Sequence, residues 1–416
     1  MSADPGNAER PIAIVGGGIA GLALALNLHA RGIAVRVYEG AAELRELGVG
    51  ITLLPHAVRE LTALSLGDEA ARLGVENTTS AFYNRFGQKI FAEPRGLQAG
   101  YPFPEYGVHR GRLHMMLYRA VLDRLGPDAV MTGHRCSGAT QDGDDVRIGF
   151  TDPTGAVLPG VTAAAVIACD GINSAVRAHF YPGESVQYTG INTWRGTTRM
   201  RPILDGRTYM RIGSIRTGKM VIYPIGDADE NGEQLVNWVA EIESATSAAN
   251  DWNRTTDARD VLPLFADWTF DWLDVPAMIS GAETIFEYPM VDKDPVDRWT
   301  FGHVTLAGDA AHPMYPRGSN GSAQALIDVR VLADCLAAHP VAEAFANYEG
   351  QRRETTARIV RTNRATPPDV INIRVEELTG DRPFGDLSQL ISQAELQAMS
   401  DDYKRVAGFG LQDVAR

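Results

Sequence analysis

Residues 11–39 have the sequence PIAIVGGGIAGLALALNLHARGIAVRVYE, in which a GxGxxG pattern lies between two apolar runs. The run before Gly16 has the length of a strand, and the apolar spacing after Gly21 predicts a helix over 22–30. A second strand is predicted over 33–38. Strand, glycine turn, helix and strand form a right-handed βαβ unit. The sequence therefore predicts an α/β fold with a Rossmann-like dinucleotide-binding domain.

The glycines of this pattern have separate roles in holding a dinucleotide. Gly16 permits the tight turn, Gly18 lets the backbone approach a pyrophosphate, and Gly21 lets helix and strand pack closely. The phosphates would lie at the helix N-terminus, beside the backbone of Ile19 and Ala20.

An acidic residue ends the second predicted strand. Glu39 follows Gly21 by 18 residues, a spacing at which its carboxylate can accept hydrogen bonds from ribose hydroxyls. A negative charge there repels a 2′-phosphate. The pattern thus indicates FAD or NAD rather than NADP.

A strand and turn far downstream decide between these two cofactors. An apolar run over 304–307 leads into Gly308 and Asp309. Asp309 is predicted to bind ribityl hydroxyls, while amides near Gly321 face the pyrimidine edge of a flavin. A Gly-Asp pair by itself is usually only a turn. Paired with the amino-terminal motif, it predicts the longer cofactor, FAD.

Two further motifs leave alternatives open. Cys169-Asp170-Gly171 follows a predicted strand over 165–169, and such a pair is often only a turn. Arg110 precedes a helix predicted over 111–125. It would neutralise the pyrophosphate or hold the flavin edge, or it would be an ordinary surface residue.

The middle of the chain differs in composition from the first part. Short segments rich in β-branched and aromatic residues predict antiparallel strands over 207–212, 220–225 and 235–242, and a helical stretch is predicted over 253–272. Two long helices are predicted over 321–339 and 341–361. The expected division is a discontinuous FAD-binding domain (1–75, 105–185, 286–365), a mostly antiparallel substrate domain (76–104, 186–285) and a partly helical tail (366–416).

Taken together, the motifs resemble those of the class A flavoprotein aromatic hydroxylases, the group that includes para-hydroxybenzoate hydroxylase. Within this group the chain is most similar to the phenazine-carboxylate hydroxylases of pyocyanin formation. The similarity extends from about residue 11 to 360. It is carried by LGVGITLLPHAV (47–58), HRGRLHMML (109–117), CDGINSAVRAHF (169–180), TWRGTTR (193–199), LVNWV (235–239), YPMVDKDP (288–295) and TLAGDAAHPMYPRGSNGSAQALIDVRVLA (305–333).

The resemblance implies a role for each matching residue. It assigns the adenosine side of FAD to Gly16, Gly18, Gly21 and Glu39, an FAD contact to Arg110, the ribityl chain to Asp309, the loop facing the isoalloxazine ring to Gly318, Asn320 and Gly321, and a place beside that ring to Pro313. Arg317 departs from the family, which has an apolar residue there. Its charge would tune substrate choice or point to solvent.

The resemblance also implies the reaction. In the family, NADH or NADPH reduces FAD, O2 forms a flavin hydroperoxide, and oxygen passes to an electron-rich ring, with or without decarboxylation. No second GxGxxG is present, so NAD(P)H would visit only transiently.

The substrate pocket is expected where the inserted sheet faces the flavin. Five residues on predicted strands are candidates for it: Trp194, Arg195, Tyr223, Asn237 and Tyr288. Arg195 is the strongest, because a guanidinium can pair a carboxylate through two hydrogen bonds. It would equally suit the flavin.

Other activities are less consistent with the sequence. No Ser/His/Asp order, HExxH or paired acidic motif is present, so a cofactor must supply the chemistry. A halogenase would carry a WxWxIP segment, which is missing. A dehydrogenase, or a non-catalytic FAD-binding protein, remains as an alternative. Steady NAD(P)H oxidation in the presence of an aromatic compound would separate an enzyme from the latter.

Charge and composition restrict the partners. The net charge of -13 disfavours nucleic acid and anionic lipid, and the three distant cysteines form no zinc pattern. Residues 11–28 lack charge, but the glycine turn explains them better than a membrane span. The first ten residues show no signal-peptide pattern. The expectation is a cytoplasmic monomer or homodimer acting on a small aromatic compound and O2.

Overall fold

The computed structural model describes residues 10–244, 254–365, 369–406, 408 and 410–411. The strands are β1 (Ile12–Val15), β2 (Val35–Tyr38), β3 (Gly50–Leu53), β4 (Gly74–Glu76), β5 (Thr79–Tyr83), β6 (Lys89–Pro94), β7 (Tyr106–His109), β8 (Val130–Met131), β9 (Arg135–Asp142), β10 (Asp145–Thr151), β11 (Val157–Ala163), β12 (Val166–Ala168), β13 (Gln187–Met200), β14 (Thr208–Ser214), β15 (Gly218–Pro224), β16 (Gln234–Glu243), β17 (Thr255–Thr256), β18 (Thr269–Phe270), β19 (Leu273–Asp274), β20 (Ile285–Asp292), β21 (Thr300–Phe301) and β22 (Val304–Leu306).

The α-helices alternate with these strands in the first half and dominate the last hundred residues. They are α1 (Ile19–His29), α2 (Pro55–Ala63), α3 (Gly67–Leu73), α4 (Arg110–Leu125), α5 (Ala175–Phe180), α6 (Ala258–Val261), α7 (Val275–Ser280), α8 (Gly321–Ala338), α9 (Val341–Ala365), α10 (Val370–Thr379) and α11 (Gln393–Val406).

A six-stranded sheet in the order β21-β22-β12-β1-β2-β8 forms the nucleotide-binding half. All its pairs are parallel except β21 with β22. The predicted βαβ unit is confirmed, since β1 pairs in parallel with β2 and α1 connects them. Strands β1, β12 and β22 end at one edge of the sheet, which is where open α/β sheets bind ligands.

A second sheet of eight strands has the order β17-β20-β13-β16-β15-β14-β5-β6. The three predicted strands correspond to β14, β15 and β16, and neighbouring strands are antiparallel except for the parallel pair β5–β14. The predicted inserted antiparallel sheet is therefore present. Strand β20 crosses the expected domain boundary at 286, and the division into domains stays a prediction.

The two faces of this sheet differ. Side chains alternate along a strand. One set, which includes Trp194, Met210, Ile222 and Trp238, forms an apolar core beneath α6 and α7. The opposite face carries Asn237, whose Oδ1 accepts a hydrogen bond from the Gly50 N–H at 2.7 Å. This polar face is thus turned towards β3 and the nucleotide-binding half.

The prediction of a helical stretch over 253–272 is wrong for residues 254–272, and residue 253 lies outside the described residues. Only α6 and a 3-10 turn over Leu262–Leu264 are helical there, followed by the short strands β18 and β19. Proline at position 263 lacks the N–H that a longer helix needs. Phe265 and Trp268 are buried instead in the core beneath the sheet.

The carboxyl-terminal segment packs against the edge of the eight-stranded sheet. Phe82 and Phe91 of β5 and β6 share an apolar cluster with Ile371 and Val375 of α10 and Leu396 of α11. The expectation of a partly helical tail is confirmed. Among the described residues no helix is both long and apolar enough to span a membrane.

Candidate functional site

The glycine turn between β1 and α1 gives each glycine a distinct environment. Gly16 has φ +100°, and a Cβ there would lie 2.5 Å from the carbonyl oxygen of Cys169. A Cβ at Gly21 would lie 1.9 Å from the Gly16 oxygen. At Gly18, no described atom beyond the local backbone and the two neighbouring residues lies within 4 Å of such a Cβ. The first and third glycines are required by packing, whereas Gly18 borders open space suited to a pyrophosphate.

Glu39 holds the other side of this turn. Its carboxylate accepts hydrogen bonds from the backbone N–H groups of Gly17 and Ala41, both at 2.7 Å. A carboxylate has about four lone-pair positions, so hydroxyl donors from a ribose can still bind. The geometry is therefore compatible with the predicted contact to the adenosine side of FAD.

The Asp-Gly motif is more than a turn. Its strand lies beside β1, and its helix α5 contains Arg177, whose side chain is fully buried. The guanidinium donates to the carbonyl oxygens of Ala310 (3.1 Å) and Ala311 (2.7 Å) and pairs with Glu184 at 2.6 Å. Through these hydrogen bonds, Arg177 connects the Asp-Gly motif to the Gly-Asp segment that follows β22.

The Gly-Asp segment lies against the first glycine motif. A Cβ at Gly308, which has φ +57°, would be 3.2 Å from the Cβ of Ala20 in α1. Asp309 is exposed, yet the surrounding protein raises the pKa of its carboxyl by desolvation, while the charges of His312 and Arg110 act in the opposite direction. The structure thus brings Ala20, Arg110 and Asp309 to one edge of the sheet.

The loop expected to face the isoalloxazine ring comes shortly after the Gly-Asp segment in the sequence. Gly318 has φ +77°, and a Cβ there would be 1.8 Å from the hydroxyl oxygen of Tyr403 in α11. The side chain of Arg317 lies outside the described residues. Pro313, expected beside the ring, is buried, whereas Pro316 is exposed.

A buried polar network supports this loop. Asn320 Oδ1 lies 3.0 Å from His56 Nε2 and accepts a hydrogen bond from Gln324 Nε2 at 3.2 Å. Arg352 donates to Gln324 Oε1 at 2.6 Å and to Asp328 Oδ1 at 2.7 Å. Burial lowers the pKa of His56 to about 4, which keeps this imidazole neutral near pH 7.

The network continues to the Gly-Asp segment. Asp328 Oδ2 accepts a hydrogen bond from the Gly308 N–H at 3.2 Å and contacts His312 Nε2. Sequence reasoning missed this network. The available signal was the pair Gln324 and Asp328, polar residues four positions apart and therefore on one face of the predicted helix.

The sheet residues expected in the substrate pocket divide between the two faces. The guanidinium of Arg195 lies 5.6 Å from the ring centroid of Tyr288. Burial raises the pKa of Tyr288, whereas the charges of Arg195 and Arg110 lower it. The ring of Tyr223 stacks on that of Tyr209, with the two ring centroids 5.0 Å apart. Strand register places Arg195, Tyr223 and Tyr288 on the same face of the sheet.

Trp194 and Asn237 fit the expected role in the substrate pocket less well than the other three residues. Trp194 lies in the apolar core on the opposite face, because adjacent residues of a strand point to opposite sides. The Asn237 side chain is fully buried and is used to join the sheet to Gly50.

A cavity lies between the sheet, the Gly318 loop and the carboxyl-terminal helices. Its wall includes Phe82, Arg95, Arg211, Gly318 and Tyr403. Arg95 is neutralised by Glu105 at 2.8 Å. Among the described residues, no group of His, Cys, Asp and Glu could hold a metal ion.

Comparison with known proteins supports this interpretation of the site. A family model described as an FAD binding domain matches residues 9–363. The chain is 41% identical over 365 residues to phenazine 1,6-dicarboxylic acid hydroxylase PhzS of Lysobacter antibioticus, covering 86% of this chain and 89% of that protein. It is 33% identical over 364 residues to 3-amino-4-hydroxybenzoate 2-monooxygenase of Streptomyces cremeus, covering 85% and 86%.

Solved structures agree on the fold. Klebsiella pneumoniae HpxO, complexed with FAD and uric acid, has a TM-score of 0.75 at 24% identity, with 97% of each chain covered. A salicylate hydroxylase substrate complex has a TM-score of 0.74 at 20% identity, with 98% of each chain covered. The chain belongs to the family that carries this FAD binding domain, and it is an FAD-dependent monooxygenase of the aromatic-hydroxylase type.

Proposed function

We propose that the protein hydroxylates a planar aromatic or N-heteroaromatic carboxylic acid, with NAD(P)H as reductant and O2 as oxygen source. The proposal rests on the surroundings of the Arg195 guanidinium. Its guanidinium lies beside the Tyr288 ring and, in the part of the chain that is described, within 4 Å of no carboxylate. A guanidinium next to an aromatic ring matches the two chemical features of an aromatic acid. Similar proteins include a phenazine 1,6-dicarboxylic acid hydroxylase and a 6-hydroxynicotinate 3-monooxygenase, and both of these names describe aromatic acids.

The residues at the edge of the six-stranded sheet fit FAD. Gly18 borders the open space for the pyrophosphate, with the backbone of Ile19 and Ala20 at the helix N-terminus, and Glu39 serves the adenosine side. Bound FAD supplies the electron transfer and the activation of O2. We assign Arg110, Asp309, Gly318, Asn320 and Gly321 to FAD as the family resemblance implies, and their positions along the same edge and in the loop beyond it support this assignment.

The protein must also keep water from the reacting atoms. The polar face of the eight-stranded sheet and α11 enclose the space beside Gly318, where Tyr403 packs directly on the glycine. We assign to these elements the exclusion of solvent. A cytoplasmic location and a monomeric or homodimeric state stay predictions.

Replacing Asp309 with alanine should weaken FAD binding without disturbing the fold. The side chain is exposed, so its removal leaves no cavity in the core. Loss of a charge-assisted hydrogen bond to the ribityl chain costs about 1.5–3 kcal/mol, or roughly 10- to 150-fold in affinity. Titration of the apoprotein with FAD measures this. The exposed Asp297 provides a matched alanine control. Equal FAD affinity in both variants would remove Asp309 from the site.

Replacing Arg195 with methionine should weaken binding of the aromatic acid. A charged hydrogen bond contributes roughly 2–3 kcal/mol, so the dissociation constant should rise by about two orders of magnitude. FAD content should remain normal, and hydrogen peroxide formed per NAD(P)H consumed should rise. The exposed Arg199 on the same strand is the matched control. If Arg195 supports the cofactor instead, the variant loses FAD while the acid affinity of the remaining holoenzyme stays constant.

The activity itself is tested by a substrate screen. Aromatic and N-heteroaromatic acids are added to the holoenzyme with NADH or NADPH, and reductant consumption and product mass are followed. At least one acid should stimulate consumption and gain one oxygen atom. Stimulated consumption that yields only hydrogen peroxide with every acid, or a product without added oxygen, would contradict the proposed function.

A further inference from the structure

The backbone of Gly17, the middle glycine of the turn between β1 and α1, is held by two side chains from different parts of the chain. Its N–H donates to Glu39 Oε2 at 2.7 Å. Its carbonyl oxygen lies 2.6 Å from His114 Nε2. Glu39 directly follows β2, whereas His114 belongs to α4 and lies 97 residues after Gly17. Both polar backbone groups of Gly17 are therefore fixed by side chains.

The contact with Gly17 determines the tautomer of His114. A carbonyl oxygen only accepts hydrogen bonds, so Nε2 of His114 must carry the hydrogen. Burial lowers the pKa of this imidazole, while its hydrogen bond to Gly17 acts in the opposite direction. The ring is therefore neutral near pH 7, with its hydrogen on Nε2. His114 thus acts on the glycine turn as a hydrogen-bond donor and not as a charge.

The hydrogen bond from His114 fixes the plane of the peptide that joins Gly17 to Gly18. This peptide is trans, so the Gly17 carbonyl and the Gly18 N–H point in opposite directions. The N–H groups of Gly18, Ile19 and Ala20 stand at the start of α1, where the helix itself supplies no carbonyl partner. By holding the Gly17 carbonyl, His114 sets the direction of the first of these donors.

A run of three glycines gains more from such a restraint than other sequences do. Glycine has more backbone conformations available than any other residue and loses the most entropy when it is ordered. The cost of ordering a loop subtracts from the affinity for its ligand, and groups that hold the loop reduce that cost. The hydrogen bonds from His114 and to Glu39 therefore favour binding of a ligand at this turn, even where they do not touch it.

His114 shares one face of α4 with Arg110, because residues four positions apart in a helix are neighbours on its surface. The charge of Arg110 acts on the carboxyl of Asp309 and on the imidazole of His114, lowering the pKa of each. Arg110 is assigned a direct contact with the negatively charged cofactor. His114, one helical turn later, reaches the glycine turn instead. Helix α4 thus brings two residues of different chemistry to the same edge of the sheet.

We propose that His114 is a positioning residue for FAD: by donating a hydrogen bond to the Gly17 carbonyl, it sets the orientation of the glycine turn that receives the pyrophosphate. The inference rests on the placement of FAD in the proposed function and adds to it a residue outside the GxGxxG motif. In this role His114 needs no contact with FAD. Its effect on FAD binding passes through the backbone of Gly17 and Gly18.

The test compares His114→Met with His114→Gln. Each holoenzyme is dialysed against a series of FAD concentrations, and the flavin bound per chain gives the dissociation constant. Methionine has no donor, so this constant should rise about 10- to 30-fold. The amide N–H of glutamine can replace Nε2–H, so this variant should bind FAD within about threefold of the wild type. His29→Met changes an exposed histidine in the last turn of α1 and should bind FAD like the wild type.

Two results would overturn the inference. If His114→Met unfolds at lower urea concentration but keeps the FAD affinity of the wild type, His114 only stabilises the fold. If His114→Gln binds FAD as weakly as His114→Met, the packing of the ring matters and not its donor. Should the methionine variant fail to fold, His114→Asn, whose amide is one carbon too short, takes its place. Failure of the proposed placement of FAD has a different signature, because Gly18→Val would then retain FAD whatever the His114 variants do.

Discussion

Replacing Gly18 with valine is expected to abolish FAD binding while leaving the apoprotein folded. The backbone at Gly18 has φ -73° and ψ -174°, which valine adopts without strain, and no described atom beyond the local backbone and the two neighbouring residues lies within 4 Å of the added Cβ. The new side chain instead occupies the space where the pyrophosphate approaches the helix N-terminus. A loss of more than about 4 kcal/mol, roughly a thousandfold in affinity, is expected. FAD titration and thermal unfolding of the apoprotein measure the two properties separately.

Gly21→Val is the matched comparison, because the same substitution one helical turn later should act through the fold. A Cβ at Gly21 would be 1.9 Å from the Gly16 carbonyl oxygen, so α1 could not pack on β1. This variant should lose thermal stability and FAD together. If Gly18→Val binds FAD with wild-type affinity, the pyrophosphate does not lie at this glycine, and the assignment of the whole turn is wrong.

Local patterns predicted the nucleotide-binding half well. The helix expected over 111–125 is Arg110–Leu125, and the one expected over 341–361 is Val341–Ala365. Helix periodicity and the contact between a glycine turn and its flanking elements involve residues that are near one another in sequence. Such signals can be interpreted without knowledge of the remaining chain.

Features that depend on pairing between distant segments were not predictable in this way. Strand β14 pairs in parallel with β5, more than a hundred residues earlier, and only that register aligns Arg211 with Phe82. The sequence analysis placed both Trp194 and Arg195 in the pocket. Because side chains alternate along a strand, these two neighbours must point to opposite faces, and this could have been recognised from the sequence.

Replacing Asp328 with asparagine is expected to destabilise the protein by about 3–5 kcal/mol at neutral pH, because it leaves the buried Arg352 without its counter-charge. Asp328 is fully buried and contacts Arg352, His312 and the Gly308 N–H. Through Arg352 and Gln324 the same network reaches Asn320. FAD content should therefore fall together with stability. Urea unfolding of variant and wild type at the same saturating FAD concentration measures the difference.

The pH dependence distinguishes a charge effect from a packing effect. Burial alone would raise the pKa of Asp328, but the charges and hydrogen bonds of His312 and Arg352 outweigh burial and hold the pKa below its usual value. A carboxylate with a lowered pKa stabilises the folded state above its unfolded-state pKa, near about 4, and this contribution is lost as pH falls through the folded-state pKa. The difference between wild type and Asp328→Asn should therefore be full at neutral pH and shrink in acid.

Asp334→Asn is the control on the same helix. Asp334 is half exposed and pairs with Arg31 and Arg330 at the surface, where an ion pair contributes at most about 1 kcal/mol. Its substitution should leave FAD content unchanged. Equal stability losses in the two variants, or a loss in Asp328→Asn that stays constant down to acid pH, would mean that the buried network does not act through the charge of Asp328. The Gly-Asp segment and the Asn320 loop would then be held by backbone packing, and Asp328→Asn would leave the affinity for FAD unchanged.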